Sequence, residues 1–461
     1  MTPLLLTLIA LALLFTLATI LGHGLLRLAG GLAGSVPYRR TLELAAGLMA
    51  LHLLLGLLQL AGIPWNPLSV AILLVASILC SLLPGRGRER KIGPEEESLP
   101  FRPSWGDGLA FLGVLGFAAA GWTLRATHPD FIYHWGVKAK RFLLAGGIDW
   151  SYLARPWNHY THPDYPRLVS ELHALAALPA HSLQPGSFEE PALLLGSAVF
   201  LLGAVIGLRE ALARSGAGPL TVQGGTAGLG LGLGGFAIGM QQAGGADLPL
   251  TLALTVALPP LLTREPKPGD DLALGIAAAF AAASKIEGVV LAAFLGALYL
   301  LRSWRDERWR QGRSRRRWAA ASALAGRVLL PPVFIVLPWL AANLHHGLFQ
   351  AANTGAPRWE RWPAILRAAG DALGADPWHG AAWLVLAAPL LLVPKTTRLL
   401  AGVVLLQMVF YLWIYLTMTG DVALLVWLSL PRLVLPLVPA VMVGLLVALN
   451  PRKTPSSQKV D

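Results

Sequence analysis

The chain has 461 residues, of which 55% are hydrophobic and 13% are charged, and its mean hydropathy is +0.58. This balance excludes an average soluble domain and indicates an integral membrane protein. The net charge of +12 does not indicate a nucleic-acid partner, because the basic residues lie mainly in short loops between apolar runs, where the positive-inside rule explains them.

Apolar runs long enough to cross roughly 30 Å of hydrocarbon recur along almost the whole chain. Because the runs are continuous rather than alternating, they predict helices and exclude a membrane barrel. The first run is too long for a signal-peptide core and lacks a small-residue cleavage site, which predicts a retained span. The predicted fold class is an all-α polytopic membrane protein with about thirteen transmembrane helices. The predicted spans are 4–28, 41–62, 68–84, 107–124, 190–208, 220–240, 248–263, 272–284, 288–301, 328–344, 380–394, 399–418 and 425–449.

Alternate loops are basic, and the positive-inside rule places those loops in the cytoplasm. The opposite loops then face outward, and they include the two longest, 125–189 and 345–379. We find no internal sequence repeat of the kind that builds many secondary transporters. The expected organisation is an N-terminal membrane region with a basic cytoplasmic loop, a membrane core and a cytoplasmic tail, at 1–105, 106–450 and 451–461.

The stretch DFIYHWGVKAKRF, 130–142, opens the first long outward loop. Phe131, Trp135 and Phe142 share one face at helical spacing, and the basic residues between them are expected to project elsewhere. This pattern predicts a short amphipathic helix that lies at the membrane interface.

Asp130 at the start of this stretch has two interpretations. It is either an ordinary helix N-cap, with the aromatic residues forming a membrane belt, or a carboxylate that serves as general base for a hydroxyl acceptor. In the second interpretation, Lys138 and Lys140 are expected to meet anionic lipid head groups.

The segment WNHYTHPDYP, 157–166, reads as a rigid turn that precedes a short helix. His159 and His162 have HxxH spacing and, with Asp164, could bind a metal ion. Two loop histidines separated in this way are more often structural, so we assign no metal ligands and leave a divalent cation as an open cofactor.

Four further ionisable residues interrupt or border apolar runs. Asp247 opens a predicted helix, where the helix dipole alone explains an acid. Lys285 and Glu287 lie between two short runs, either in an interfacial hairpin turn or facing a partner or a wet cavity. Arg432 lies in an otherwise uncharged stretch and needs an anion as its partner. The partner is either a distant acid such as Asp421 or a phosphate, and we favour the phosphate.

In their order and common sidedness, these features resemble the GT-C superfamily of membrane glycosyltransferases, whose members include aminoarabinose transferases and protein O-mannosyltransferases. The resemblance runs from about Gly106 to Pro439. Its motifs are Asp130 followed by YHWGVKAKRFLLAGGID, then HPDYP, ADLPL, SKIEG, LPW and an Arg-Leu-x-x-x-x-x-Pro stretch. The chain has Asp-Phe where many relatives have paired acids, which puts a metal-dependent variant in doubt.

The resemblance implies inverting transfer of a sugar from a polyprenyl-phosphate donor to a hydroxyl of a glycan, lipid or protein. It implies Asp130 as the catalytic base, with Lys285 and Arg432 holding the lipid phosphate. Membrane lipids are the other expected partners, and the expected location is a bacterial inner or plasma membrane with the site facing the periplasm or exterior. A multi-span lipid or solute transporter or flippase is the alternative. The candidate substrate-binding residues are Tyr133, His134, Lys138, His162, Asp164, Tyr165, Asp247, Lys285, Glu287 and Arg432.

Overall fold

A computed structural model describes residues 2–29, 32, 34–82, 102–124, 128–263, 267, 269–305, 314–349, 355–375 and 380–450. Over these ranges the regular structure is helical, with no strand. The basic loop expected within 1–105 has its cluster of basic residues at 86–91, which lies outside these ranges, as do residues 306–313 and the expected tail at 451–461.

Seventeen α-helices are assigned in the described part of the chain, together with shorter π and 3-10 segments. The α-helices are α1 Pro3–Leu28, α2 Val36–Leu60, α3 Pro67–Leu82, α4 Trp105–Thr123, α5 Gly136–Ala145, α6 Trp150–Leu153, α7 Leu168–Leu183, α8 Glu190–Ser215, α9 Pro219–Gly239, α10 Asp247–Leu262, α11 Asp270–Ser284, α12 Ile286–Arg305, α13 Ser314–His345, α14 Trp362–Gly374, α15 Arg398–Thr417, α16 Val422–Val434 and α17 Leu437–Leu449. The other segments are a π-helix at Phe131–Trp135 and 3-10 helices at Pro156–Thr161, Trp359–Arg361 and Ala381–Leu392.

Six of these helices are long and apolar enough to cross a membrane, and a seventh span results if α16 and α17, which meet at a bend of 46°, count as one. The expected number of about thirteen spans is not confirmed. Several of the remaining helices are short: α3 and α10 have 16 residues each, and α11 has 15. The chain is therefore a multi-pass helical membrane protein by length and composition, with a smaller number of full-length spans than hydropathy alone indicates.

Ion pairs and cap contacts gather one set of helix ends at what we call the basic end of the bundle. Arg209 near the end of α8 pairs with Asp107 at the start of α4, at 2.6 Å. Arg214, also on α8, pairs with Asp270 at the start of α11, at 2.7 Å. Arg302 on α12 donates to the Leu261 carbonyl at the end of α10. The opposite ends of α4, α10, α11 and α12 meet at the other end, which we call the loop end.

The loop end carries both long loops. His346, just after α13, stacks on Trp150 of the first loop with ring centroids 4.0 Å apart. Asn343 of α13 donates a hydrogen bond to the carbonyl of Asp164. The two loops that were expected to share one side of the membrane therefore touch each other. Which end faces the cytoplasm remains a prediction from the positive-inside rule.

The N-terminal helices support the first loop. The Trp65 amide, after α2, donates to the Gly146 carbonyl at 2.7 Å, and the Ile148 amide donates to Gln59 Oε1 at 3.0 Å. Within the bundle, His52 of α2 and Glu171 of α7 form a buried pair at 2.5 Å. These contacts give α2 and the turn that follows it a structural role that the sequence did not indicate, because they support the first loop and α7.

Candidate functional site

A tight hairpin between α11 and α12 places Lys285 and Glu287 at the loop end. Lys285 is the single residue between the helices and has an extended backbone. A Cβ on Gly288 would lie 1.9 Å from the carbonyl oxygen of Ala281, so the two helices cross in contact and only glycine fits there. The hairpin alternative is thus correct in form, yet both charged side chains are buried rather than exposed at an interface.

Lys285 connects two acids within this buried region. Its Nζ lies 2.8 Å from Asp247 Oδ1, at the start of α10, and 3.6 Å from Glu287 Oε1. Burying an amine is costly unless charged partners compensate, and these two carboxylates provide that compensation. The pairing joins Lys285 and Glu287, which are neighbours in the sequence, to Asp247, which lies 38 residues before Lys285.

Arg432 joins the same cluster from α16. Its Nη2 donates a hydrogen bond to Asp130 Oδ2, and its Nε lies 3.5 Å from Asp247 Oδ2. Asp421, one of its two suggested partners, instead accepts hydrogen bonds from the backbone amides of Ala423 and Leu424 and caps α16. Asp421 is therefore not the partner, but the distant-acid alternative is correct in kind, because Asp130 and Asp247 reach Arg432 from parts of the chain that sequence spacing does not relate.

Asp130 does not cap the helix that follows it. Its backbone is already helical, with φ −63° and ψ −38°, and its side chain makes no cap hydrogen bond. The carboxylate is directed to Arg432 instead. The helix continues as a π-helical turn from Phe131 to Trp135. This form is rare in proteins, and where it occurs it is often at a functional site.

Acids outnumber cations in the assembled cluster. We define the charged cluster by three carboxylates and two cations, namely Asp130, Asp247, Glu287, Lys285 and Arg432. Glu287 Oε2 is buried and accepts no hydrogen bond from any described residue, whereas Asp247 Oδ2 is already in the ion pair with Arg432 Nε. A buried acceptor without a donor is costly, so the cluster has capacity for a proton, a hydroxyl donor or a cationic group.

The HPDYP segment lies directly against the cluster. The hydroxyl of Tyr165 donates to Glu287 Oε1 at 3.5 Å. His162 has a left-handed backbone, with φ 49°, which is uncommon outside glycine. Its ring centroid lies 4.5 Å from that of Tyr165 and 4.8 Å from that of His134. Burial lowers the pKa of His162 well below its usual range.

Helix α13 holds this segment through one backbone carbonyl. Trp339 Nε1 and Asn343 Nδ2 both donate to the carbonyl oxygen of Asp164, at 2.8 and 2.7 Å. The carboxyl group of Asp164 is largely shielded, and burial raises its pKa. The LPW motif therefore contributes to the site by fixing the HPDYP turn.

Lys138 is only 1% exposed, which corrects its expected contact with lipid head groups. Positions 131, 135, 138 and 142 follow helical spacing, so Lys138 lies on the buried face with the aromatic residues. Its Nζ donates to the His162 carbonyl at 3.1 Å and lies 4.4 Å from the Trp135 ring centroid. Burial lowers the pKa of Lys138 to about 7. Lys140, in contrast, is exposed.

The remaining predicted residues differ in position. His134 Nε2 lies 3.8 Å from Asp130 Oδ1, and burial lowers the pKa of His134. Tyr133 is exposed. The described residues contain no group of three or more His, Cys, Asp or Glu side chains placed to hold a metal ion. The side chain of His159 falls outside the description.

Two residues near the cluster carry no motif and were missed. Gln407 of α15 donates from Nε2 to the Glu287 carbonyl at 3.3 Å. Arg167, immediately before α7, is 5% exposed and lies against Trp150. Arg167 directly follows HPDYP in the sequence, but its burial could not be predicted without knowing that the loop itself is buried.

Comparison of the chain with known protein families, with curated proteins and with solved structures finds no match in any of the three.

Proposed function

We propose that this protein is a membrane glycosyltransferase that moves a sugar from a polyprenyl-phosphate donor to a hydroxyl acceptor. The proposal places the reaction at the extracytoplasmic side, with inversion at the anomeric carbon and Asp130 as the general base. The acceptor is a glycan, a lipid or a protein. The support for this proposal comes from the charged groups that the cluster brings together, rather than from the side of the membrane on which the cluster lies.

The observation that carries the proposal is the ion pair between Asp130 of the first loop and Arg432 of α16. Around it, Asp247, Lys285 and Glu287 complete a buried cluster of both signs at the loop end. Buried ionisable groups in membrane proteins are expensive and usually functional. A site that must bind a phosphate and also remove a proton needs cations and a carboxylate within reach of each other.

Each cation of the cluster is already paired with a carboxylate, which defines how a donor would bind. A phosphate that approaches Arg432 competes with Asp130 and Asp247 for the same N–H donors. Binding of the donor phosphate to Arg432 then releases Asp130 from its strongest partner. Donor binding and activation of the base are coupled in this scheme.

The chemical step is a single displacement. The acceptor oxygen forms a bond to the anomeric carbon while the bond from that carbon to the phosphate oxygen breaks, and its electron pair stays on the departing phosphate. Asp130 takes the proton of the acceptor hydroxyl. Lys285 and Arg432 stabilise the negative charge that grows on the phosphate. No step requires a metal ion.

A transfer assay tests the proposal. Full-length protein in proteoliposomes is supplied with radiolabelled polyprenyl-phosphate sugars and with membrane extracts as a source of acceptors. Label that moves from the lipid phosphate to a product, in wild type and not in Asp130→Asn, supports the proposal. Donors that remain intact across a panel of sugars and extracts, with folded protein, contradict it.

Transport is the second candidate, because one structural feature favours it. Helices α16 and α17 are bent by 46° just after Arg432, and discontinuous helices beside charged residues occur at the binding sites of many transporters. The excess of one carboxylate in the charged cluster also suits proton binding. Uptake of labelled lipid or solute by the same proteoliposomes, under an imposed proton gradient and without sugar transfer, favours this function over the first.

A further inference from the structure

Arg167 is a further buried cation at the loop end and is not a member of the charged cluster. It immediately precedes α7, and its guanidinium carbon lies 4.7 Å from the centroid of the Trp150 ring. Glu171, one turn further along, attracts it electrostatically, but the Glu171 carboxylate is engaged by His52 at 2.5 Å. The acid that attracts Arg167 is therefore already paired with His52.

The guanidinium is incompletely hydrogen-bonded. Its Nε and Nη1 are buried, and neither donates a hydrogen bond to any residue that the structure describes. A guanidinium presents five N–H donors in a planar fork, and leaving buried donors unpaired costs free energy. The planar fork matches a carboxylate or a phosphate, which accept two parallel hydrogen bonds.

The surroundings of Arg167 add positive electrostatic potential and give a ligand access to it from solvent. The N-terminus of α7, a helix of 16 residues, begins at the next residue and favours a negative charge. The ring of Trp150 is stacked on His346 of the second loop at an interplanar angle of 12°. Both Trp150 and His346 are half-buried, so the group borders solvent rather than the bundle interior.

We propose that Arg167, Trp150 and His346 form a binding site for an oxyanion, a carboxylate or a phosphate, carried by the acceptor. Arg167 donates to the oxyanion, while Trp150 and His346 provide a flat wall beside it. Lys138 is close enough to interact electrostatically with both Arg167 and Asp130, which links this site to the base. The acceptor hydroxyl would thus be held near the base by an acidic group elsewhere on the same molecule. The assignment of the oxyanion to the acceptor rests on the proposed function, whereas the oxyanion site itself does not.

The test uses full-length protein in phosphatidylcholine nanodiscs and inorganic phosphate and acetate as probes. A ligand that binds only the folded state raises the unfolding midpoint with its concentration. Sodium chloride at matched ionic strength removes the general effect of salt. Phosphate or acetate is expected to stabilise wild type beyond chloride, and the concentration dependence gives an apparent Kd.

Arg155 offers a matched control, because it is an exposed arginine of the same loop that lies 5.9 Å from the Trp157 ring centroid. Arg167→Gln is expected to raise the apparent Kd about tenfold or more, and Arg155→Gln to change it less than about twofold. Arg167→Lys keeps the charge and the fold but not the planar fork, and an intermediate Kd is expected. A wild-type response no larger than that to chloride, or an equal response in Arg167→Gln, overturns the proposal.

Two further arms identify the source of the oxyanion. A larger response to phosphate assigns a phosphate-bearing ligand, and a larger response to acetate assigns a carboxylate-bearing one. Loss of the phosphate response when phosphatidylglycerol is added to the nanodiscs assigns it to a lipid head group. Because these measurements need no sugar transfer and are repeated in Asp130→Asn, failure of the oxyanion site and failure of the proposed transferase are distinguishable.

Discussion

Asp130 and Arg432 form an ion pair although 302 residues separate them in the sequence. One belongs to the first long loop and the other to α16, near the end of the chain. Arg432 also lies within 3.5 Å of Asp247, so it is shared between two acids. Arg432 therefore links the first loop to the start of α10, where Lys285 also holds Asp247 at 2.8 Å.

Asp130→Asn is expected to abolish sugar transfer while the protein still folds. The amide keeps the size of the side chain and a hydrogen-bond acceptor for Arg432, but it cannot take a proton. General-base catalysis contributes about 10²–10⁴-fold, so transfer should fall by that factor. Initial rates with labelled donor measure it.

Asp149→Asn is the matched control for that variant. Asp149 is an acid of the same loop that caps α6 and pairs with Arg141 at 2.7 Å, and Arg141 is not a member of the charged cluster. Its substitution should leave the rate within a few-fold of wild type. Normal turnover in Asp130→Asn would remove the role of the general base from that residue.

Arg432→Gln should destabilise the protein strongly, because it leaves Asp130 and Asp247 without their shared cation. Removing one partner of a buried ion pair costs about 3–5 kcal/mol. The double variant Asp130→Asn with Arg432→Gln should be more stable than Arg432→Gln alone, since one stranded charge is gone. Unfolding midpoints of the four proteins in a mutant cycle measure the coupling. Strict additivity would show that the pair is not energetically linked.

Lys138 should make stability depend on pH. Its pKa is lowered to about 7 in the folded protein, against 10.5 for an unperturbed lysine, so between these values the unfolded chain binds the proton and the folded chain does not. The cost of burying the charged amine is then fully present below pH 7 and is relieved as pH rises toward 10.5. Stability should increase over this window by up to about 1.4 kcal/mol per pH unit.

Lys138→Met should flatten that rise in stability. The gain in stability of the variant over wild type should be largest near pH 6, where the buried amine of wild type is charged. The comparison is an unfolding curve at each pH for wild type, Lys138→Met and Lys140→Met. Lys140 is exposed, so its substitution should leave the slope unchanged. An identical slope in wild type and Lys138→Met would show that the buried amine does not titrate in this range.

Trp339→Phe and Asn343→Leu should be mild singly and severe together. Both side chains donate to the Asp164 carbonyl, so either alone still satisfies that acceptor. Each single loss should cost about 0.5–1.5 kcal/mol, and the double variant should cost more than their sum because a buried acceptor is left without a donor. Unfolding midpoints measure the difference, and the transfer rate reports whether the HPDYP turn has shifted. Simple addition of the two losses would show that water replaces the donors.

The structure changed several predictions for identifiable reasons. Helical spacing alone puts Lys138 on the same face as Phe131 and Trp135, but a charged residue was assumed to face lipid head groups. Asp130 looked like an N-cap because capping is the commonest role of an aspartate before a helix. Its carboxylate is directed elsewhere because Arg432 offers a stronger, charged partner.

Sequence alone determined the membrane class, the helical fold, the alternation of basic loops and the ionisable residues that deserved study, because each follows from local composition and from the cost of placing polar groups in hydrocarbon. Tertiary structure alone decided that Asp130, Asp247, Lys285, Glu287 and Arg432 meet. It also decided that Arg167 is buried beside Trp150. Ion pairs between distant helices depend on how helices pack, and packing is set by side chains along their whole length. No local pattern records which two turns will touch.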